Sequence, residues 1–419
     1  MFAERNQLDL IEVNFEERPE FSILFDTNDT ERIILQLEIE HSRKITAGRS
    51  CIFLDEIQNH PRVLVTLRYF FEKQPELLVI AAGSLLEFLL EDHAFSMPVG
   101  RIEYLFLGPM TYEEFLIAGG ETQLVDYLNT MDPSHPIPPG IHQAAMRATQ
   151  IWMLTGGMPE VVATWIEERS LLEVDRVKHT IINTLRDDFS KYKRSANTER
   201  LQRAFERFPG FVGKKIVYSQ INEGAKARDT EKSLHLLEQA RIIYRVNHSD
   251  GNGVPLGAER NEKRSKGLFL DVGLLSAVEG LSLRDIEDPY HIMMINSGAL
   301  AEQFIGQHLL YMNDFYRLPE LYYWSRQKSH SSAEIDYLVT HGRHVIPVEV
   351  KAGKTGTLRS LHVFMEEKRA TKAIRFYTGP CAVADVKSSL PGSSLQYRLL
   401  SLPLFLVEQW KRILSQISG

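Results

Sequence analysis

Two adjacent carboxylates end a run of apolar residues near the N-terminus of this chain. The run covers residues 50–54, with the sequence SCIFL, and Asp55 and Glu56 follow it directly. A continuous apolar run that ends in acids is typical of a buried parallel strand that delivers carboxylates to a nucleotide. In such a site the aspartate holds Mg²⁺ through water, and the glutamate orients and deprotonates the attacking water. Acids also commonly begin solvated loops, so this pattern alone leaves both interpretations open.

We predict Asp55 and Glu56 as catalytic residues that bind ATP, with Asp55 also as a ligand of Mg²⁺. Ser84 ends the next apolar run and is a predicted catalytic residue that contacts the γ-phosphate or the attacking water. Arg101 is predicted to stabilise charge across a subunit boundary, which implies a homo-oligomer. The loop G-x-x-x-x-G-K-[ST], whose amides and lysine hold phosphates, does not occur in residues 1–49. The sequence therefore contains half of an ATP site.

A second group of charged residues lies in two apolar runs near the C-terminus. Asp336 belongs to a predicted strand over residues 334–340, and Glu349 and Lys351 follow in the predicted strand after the turn at 341–343. Glu349 and Lys351 are two positions apart, so their side chains project from the same face of the strand. A hairpin can place Asp336 beside Glu349, so that both carboxylates share a Mg²⁺ while Lys351 positions or activates the hydrolytic water.

This order, an Asp followed by Glu-x-Lys, is typical of metal-dependent phosphodiester hydrolases, and Glu302 on the preceding predicted helix supplies a further acid. We predict Asp336, Glu349 and Lys351 as catalytic residues, and Glu302, Asp336 and Glu349 as Mg²⁺ ligands. The alternative is an exposed hairpin whose charges pair as ordinary surface ions. The apolar neighbours favour the site, because a buried charge is costly unless a metal or a partner neutralises it.

The elements that must position the first group alternate between strand and helix. Apolar runs predict strands over residues 8–15, 50–56, 76–82 and 101–106, and helical spacing predicts helices over 30–39, 61–72 and 111–117. That order predicts an α/β fold with a parallel sheet and crossover helices. We assign residues 1–120 to this first domain.

The rest of the chain divides into a helical part and a second α/β part. Helical patterns cover residues 141–153, 159–168 and 171–193, and a helix-turn-helix-strand unit over 215–247 resembles a winged helix, with its wing in 247–266. The C-terminal part contains predicted helices over 298–311 and 358–368, with strands between and after them. We therefore predict a helical and winged-helix-like domain over 121–290 and a C-terminal α/β domain over 291–419.

Composition limits the class of protein. At 419 residues the chain exceeds the size of one hydrophobic core, which fits several domains. Its net charge of −7 argues against broad, charge-driven binding of nucleic acid, although local basic clusters can still serve. The sequence has no apolar run long enough for a membrane span, no secretory signal pattern and only two cysteines. These observations predict a cytoplasmic protein without a membrane partner.

The chain resembles a bacterial and archaeal family in which an AAA-type ATPase domain is fused to a C-terminal domain of unknown function that ends in a restriction-endonuclease-like fold. The segments that carry the resemblance are IFLDEIQ at 52–58, AGS at 82–84, GR at 100–101, LGPMTYEEFL at 107–116, TGGMPE at 155–160, LDVGL at 270–274, EID at 334–336 and PVEVK at 347–351. The resemblance implies a P-loop NTPase-type sheet with ATP bound, Asp55 and Glu56 in the hydrolytic roles, and a PD-(D/E)xK-like triad of Asp336, Glu349 and Lys351.

This sequence departs from the family at its start. Family members begin with a strand and a phosphate loop, whereas residues 2–15 look like the end of the helix after that loop and the next strand. Either the start codon is assigned too late or the gene has been truncated. We expect the chain as written to hydrolyse ATP poorly, because the amides and lysine that stabilise the transferred phosphate are missing.

Two functions of different classes follow from these patterns. The first is an ATP-binding, DNA-associated protein with the ATPase as switch or motor, the winged-helix unit as the DNA contact and a Mg²⁺-dependent nuclease-like domain. The second is a non-catalytic module that binds DNA or protein and has vestigial sites. In the predicted helix 230–240 the basic residues Lys232 and His235 are offset by Glu231 and Glu238, so a packing role for this unit also remains open.

Overall fold

The computed structural model describes residues 2–83, 100–189, 197–280, 297–328, 331–353 and 358–417. The chain forms two compact units, Met1–Leu105 and Phe106–Gly419. Ser84, one of the predicted site residues, lies outside the described residues. None of the described helices combines the length and the apolar character that crossing a bilayer requires.

The first unit contains a parallel sheet with helices between its strands. Its strands are β1 (Asp9–Asn14), β2 (Ser50–Asp55) and β3 (Leu78–Ala81), and its helices are α1 (Phe2–Arg5), α2 (Thr30–His41) and α3 (Arg62–Lys73). The sheet order is β1-β2-β3, and both strand pairs are parallel. The parallel sheet predicted from the alternation of elements is thus confirmed.

Burial explains why these segments form a sheet with helices packed on it. β2 buries Ile52 and Leu54 completely, and α2 buries Ile33 and Leu37 in the same core. Burying one such aliphatic side chain contributes about 1.5–3 kcal/mol. Asp29 caps α2 by accepting a hydrogen bond from the backbone of its third helical residue, which fixes where this helix begins.

The prediction of a strand over residues 101–106 is wrong. The structure shows irregular backbone over 102–109. Leu105 and Leu107 are 57% and 87% exposed, so this apolar run does not pack as a buried strand. The segment contains the boundary between the two units, and a connection of this kind does not need the ladder of hydrogen bonds that defines a strand.

The second unit is built on one mixed sheet of eight strands in the order β10-β11-β9-β8-β7-β6-β4-β5. These strands are β4 (Ile243–Ser249), β5 (Arg260–Phe269), β6 (Tyr322–Lys328), β7 (Ser331–His341), β8 (His344–Val350), β9 (Lys372–Tyr377), β10 (Ala382–Lys387) and β11 (Gln396–Pro403). β6, β7 and β8 form an antiparallel meander, and β9 pairs in parallel with β8. The predicted C-terminal α/β architecture is therefore present in its coarse outline.

The helices of the second unit cover this sheet and form a helical layer before it in sequence. They are α4 (Tyr112–Ala118), α5 (Thr122–Thr130), α6 (Pro139–Thr155), α7 (Pro159–Glu168), α8 (Leu171–Asp188), α9 (Thr198–Arg207), α10 (Tyr218–Ile221), α11 (Ala227–Gln239), α12 (Val272–Val278), α13 (Ser297–Tyr311), α14 (Arg359–Lys368) and α15 (Trp410–Gln416). α4 belongs to this unit, because Tyr112 is fully buried and its phenol donates to the carbonyl of Ala145 on α6 at 2.9 Å.

The hairpin of β4 and β5 joins the same sheet as the C-terminal strands. β4 pairs in parallel with β6 through Asn247 and His248, and in antiparallel with β5. The helices α10 and α11 precede this hairpin, so the order of elements matches the predicted helix-turn-helix-strand unit. The hairpin therefore extends the large sheet at one edge.

Candidate functional site

Asp55 lies at the carboxyl end of β2, beside the end of β1. The parallel register pairs Asn14 with Asp55, and the Asn14 amide donates to Asp55 Oδ2 at 3.0 Å. Asn14 Oδ1 in turn accepts hydrogen bonds from the backbone N–H groups of Glu16 and Glu17, both at 2.9 Å. The orientation of the Asp55 carboxylate is therefore fixed by a neutral amide that the sequence analysis did not single out.

Glu56 leaves the direction of the strand. Its φ of 54° is in the left-handed region, which non-glycine residues adopt rarely and often near functional sites. Ala82 holds this turn on both sides, because its N–H donates to Leu54 O at 2.8 Å and its carbonyl accepts from Ile57 N at 3.1 Å. The Glu56 carboxylate accepts a hydrogen bond from the side-chain amide of Gln58.

Arg101 pairs with an acid of its own unit. Its Nε lies 3.3 Å from Glu72 Oε1 near the end of α3, where Arg68 also binds the same carboxylate at 2.9 Å. Arg68 and then Arg101 hold the pKa of Glu72 below its ordinary value. The role of Arg101 across a subunit boundary stays a prediction.

The predicted C-terminal group comes together at the hairpin of β7 and β8. The register pairs Tyr337 with Val348, which places Asp336 opposite Glu349. The backbone N–H of Val350 donates to Asp336 Oδ2 at 2.8 Å. Lys351 follows β8 directly, and its Nζ lies 2.5 Å from Glu349 Oε1. Asp336, Glu349 and Lys351 thus lie side by side, as the spacing in the sequence predicts.

Glu302 reaches this group from α13, whose position is set by contacts along its length. Gln303 clamps the helix to the end of β5 by accepting from Phe269 N at 2.9 Å and donating to Phe269 O at 2.8 Å. The Tyr337 phenol donates to the carbonyl of Glu302 at 2.8 Å. A Cβ at Gly213, whose φ is +69°, would lie 2.4 Å from Glu302 Oε2. This position requires glycine both for its backbone conformation and for the close approach of the carboxylate.

Lys266 of β5 is the functional candidate that the sequence analysis missed. Its side chain is only 2% exposed, and its Nζ lies 2.7 Å from Glu334 Oε1, 3.6 Å from Asp336 Oδ1 and 3.9 Å from Glu302 Oε2. The contact with Glu334 is an ion pair. A lysine about 70 positions away in sequence thus supplies a positive charge to the predicted acidic site.

Burial and mutual repulsion set the electrostatics of this acidic cluster, which comprises Glu302, Asp336, Glu349 and the more exposed Glu334. Burial raises the pKa of the Glu302 and Glu349 carboxyls, and the negative charge of Asp336 raises both further. Burial opposes the charge of Lys266, but the carboxylates around it outweigh that effect and its pKa is raised. The acids that Lys266 contacts therefore hold it in its charged form.

The donors in the acidic cluster suit a divalent ion in their chemistry. Glu302 Oε2 and Glu349 Oε2 are buried and have no hydrogen-bond partner among the described residues, which is costly for carboxylate oxygens. Carboxylate oxygens are the ligands that Mg²⁺ prefers, so Glu302, Asp336 and Glu349 would hold it. Within the described ranges, however, no three His, Cys, Asp or Glu side chains form a ready metal-binding group. The carboxylates are instead spaced around the ammonium of Lys266.

A separate buried carboxylate, Asp271, organises the helical layer. Its Oδ2 accepts from Gly157 N at 2.7 Å, and its Oδ1 caps α12 by accepting from Leu274 N at 3.0 Å. A Cβ at Gly156 would lie 2.0 Å from Asp271 Oδ1, so the glycines at 156 and 157 permit this contact. Asp271 therefore joins the turn at 156–157 to the start of α12.

Comparison with family models divides the chain into three matched regions. Residues 1–116 match an AAA domain, residues 146–285 match a domain of unknown function (DUF8612), and residues 297–389 match another domain of unknown function (DUF4143). No curated protein and no solved structure matches the chain. Glu302, Asp336, Glu349 and Lys351 lie in the third region, and Lys266 lies in the second. The chain thus joins an AAA-type, ATPase-family domain to two domains of unknown function.

Proposed function

We propose that this ATPase-family protein carries a Mg²⁺-dependent phosphodiesterase centre at Glu302, Asp336, Glu349 and Lys351, and that the centre acts on DNA. The observation that carries the proposal is the hairpin register, which sets Asp336 opposite Glu349 with Lys351 against the latter. The unpartnered Glu349 Oε2 supports it further, since this side chain is 5% exposed. A buried carboxylate oxygen without a donor is stable only when a cation or a proton takes the place of one.

The residues of the centre divide the work by their contacts. Asp336 is held by the Val350 amide, so its other oxygen is the one available to a ligand. Lys351 is 30% exposed and contacts Glu349, and we assign it the positioning of the attacking water and the binding of the scissile phosphate. A bound divalent ion would supply stabilisation of the negative charge that develops on that phosphate.

The AAA-type region is proposed to bind ATP with Mg²⁺ at Asp55 and Glu56, as a switch or motor for the C-terminal unit. The support is the position of Asp55 at the carboxyl end of a central parallel strand, where nucleotide sites form in such sheets. Ser84 and Arg101 stay in this proposal with the roles predicted for them. The proposal includes a cytoplasmic homo-oligomer associated with DNA.

A cleavage assay with the full chain tests the nuclease proposal. Supercoiled and linear DNA are incubated with the protein in Mg²⁺ or Mn²⁺, and then in EDTA, and Asp336→Asn is compared with Asp314→Asn. Asp314 is an exposed acid in the same unit and serves as the matched control. We expect cleavage that needs the divalent ion and is lost in Asp336→Asn alone. Cleavage that survives in Asp336→Asn, or DNA that stays intact at high protein concentration, contradicts the proposal.

A second function, a non-catalytic binding module with vestigial sites, is favoured by one observation. Lys266 already neutralises part of the acidic cluster, and no ready metal-binding group exists among the described residues. Intact DNA in the cleavage assay, together with DNA retention in a gel-shift assay that Asp336→Asn leaves unchanged, would favour this alternative.

A further inference from the structure

Lys266 is buried at the acidic cluster although it is not the lysine of the Glu-x-Lys motif. It lies on β5, in the region matched to a different domain from the hairpin, and it is almost fully buried. Its Nζ lies over the ring of Tyr323 on β6, 5.4 Å from the ring centroid. Besides the face of this ring, the acids of the cluster stabilise its charge among the contacts seen in the described residues. Burial of an ammonium without such partners is strongly unfavourable.

We propose that the Lys266 ammonium is the resident cation of the acidic cluster and competes with a divalent ion for Asp336 and Glu302. Lys266 therefore sets the affinity of the centre for metal. This inference rests on the proposed function, because it concerns the metal site of that same centre.

The distances support competition rather than joint occupancy. Nζ lies 3.6 Å from Asp336 Oδ1 and 3.9 Å from Glu302 Oε2, and neither oxygen accepts a hydrogen bond from the part of the chain that the structure describes. A Mg²⁺ binds such oxygens at about 2.0–2.1 Å, which would set its double charge close to the ammonium. Repulsion between the two cations is strong where water is largely excluded. The carboxylates of Asp336 and Glu302 can therefore bind either the lysine or the metal ion, but not the two cations at once.

Glu334 gives the ammonium a place to remain when a metal enters. It is the nearest acid to Nζ, at 2.7 Å, and at 36% exposed it is the most open of the three acids that Lys266 contacts. A small withdrawal of Nζ toward Glu334 would keep the ion pair and free Asp336 and Glu302. Lys351 differs in this respect, since it pairs with Oε1 of Glu349 and leaves Oε2 of that carboxylate without a partner among the described residues.

Calorimetric titration of the full chain with Mn²⁺ tests the proposal without any assay of activity. Lys266→Gln removes the charge, Lys266→Arg keeps it, and Lys263→Gln removes an exposed charge from the same strand as the matched control. We expect Lys266→Gln to bind Mn²⁺ at least about tenfold more tightly than the wild type, which corresponds to about 1.4 kcal/mol. Lys266→Arg and Lys263→Gln should stay near the wild type. Adding Asp336→Asn to Lys266→Gln should abolish the gain, which locates the ion.

The outcomes separate this inference from the proposed function. If the wild type and Lys266→Gln bind Mn²⁺ equally, the competition is refuted and the metal site stands. If no variant binds Mn²⁺, both are refuted. Should Lys266→Gln fail to fold, amine labelling of the wild type read by mass spectrometry decides: saturating Mn²⁺ should increase labelling of Lys266 severalfold, and unchanged protection while Mn²⁺ binds overturns the proposal.

Discussion

The two acidic sites of this protein differ in what stabilises their carboxylates. At the end of β2, the side chains of Asp55 and Glu56 bind neutral amides, those of Asn14 and Gln58. In the C-terminal cluster the acids contact two ammonium groups and are largely buried. Amides orient a carboxylate without cancelling its charge, whereas a lysine cancels it. The first site therefore retains its charge for a ligand, and the charge of the second is already compensated in part by lysines of its own unit.

The largest effect is expected from Lys351→Met, which removes the lysine that contacts Glu349. DNA cleavage in Mg²⁺ should fall by about 100-fold or more, because loss of one positioned charge in a catalytic centre commonly costs about 2.7–4 kcal/mol. The initial rate of cleavage is the measurement. Lys387→Met, on the exposed strand β10, is the control and should cleave as the wild type does. A rate in Lys351→Met within a few-fold of the wild type would show that the ion pair is only structural.

Gly213→Ala tests how closely the C-terminal cluster is packed. The new Cβ would meet Glu302 Oε2 at 2.4 Å, and the backbone φ of +69° is unfavourable for alanine. We expect a loss of about 2–3 kcal/mol in the free energy of unfolding of the second unit, measured by urea denaturation. Gly210→Ala is the control, because nothing lies within 4 Å of its added Cβ. Equal stability of both variants would mean that Glu302 moves aside freely and is not held in the cluster.

Glu408 is a half-buried acid with no lysine within ion-pair distance among the described residues, so it can be compared with the C-terminal cluster. Burial, and then repulsion from Glu113, raise the pKa of Glu408 to about 8. Its carboxylate accepts from Glu113 N at 2.7 Å. The folded state keeps this proton between the ordinary pKa of 4.5 and about 8, while the unfolded state loses it. Stability from this group is therefore present at low pH and is lost as the pH rises through that window.

Glu408→Gln removes the pH dependence that this carboxyl gives to stability. The stability of the variant should therefore fall less than that of the wild type between about pH 5 and 9. We expect a relative gain of about 1–2 kcal/mol at the upper end, from denaturation curves at several pH values. Glu168→Gln, an exposed acid at the end of α7, is the control and should follow the wild type at every pH. Parallel curves for Glu408→Gln and the wild type would contradict the raised pKa.

The sequence predicts those features of the two sites that depend on residues close together in the chain. The apolar run of β2 and the two-residue spacing of Glu349 and Lys351 each follow from a short stretch of chain, and the structure has the strand and the hairpin they predict. Lys266 could not be predicted in the same way. The first half of β5 is exposed and polar, so it resembles a loop, and its pairing with the cluster depends on contacts between segments far apart in sequence. Asn14 was missed for the same reason, because its partner lies on the next strand.

The smallest effect is expected from Asn14→Ala, in the first unit. This change removes three hydrogen bonds of a partly buried side chain, to Asp55 and to the N–H groups of Glu16 and Glu17. Because the site is partly open to water, which can replace these bonds, we expect a loss of only about 1 kcal/mol in the unfolding of the first unit.

Asn59→Ala, in the turn after β2, is the control because its side chain is exposed. Asn14→Asp sharpens the comparison between the two sites. It keeps the size of the side chain but sets a carboxylate where the amide donates to Asp55 at 3.0 Å, with no lysine within ion-pair distance of Asp55 among the described contacts. In Asn14→Asp, the stability of the first unit should therefore fall as the pH rises through the range in which aspartates ionise. High salt should restore part of this stability, because it screens the repulsion between the two carboxylates. A pH-independent loss equal to that of Asn14→Ala would mean that the charge at Asp55 is already cancelled, and the contrast between the two acidic sites would then fail.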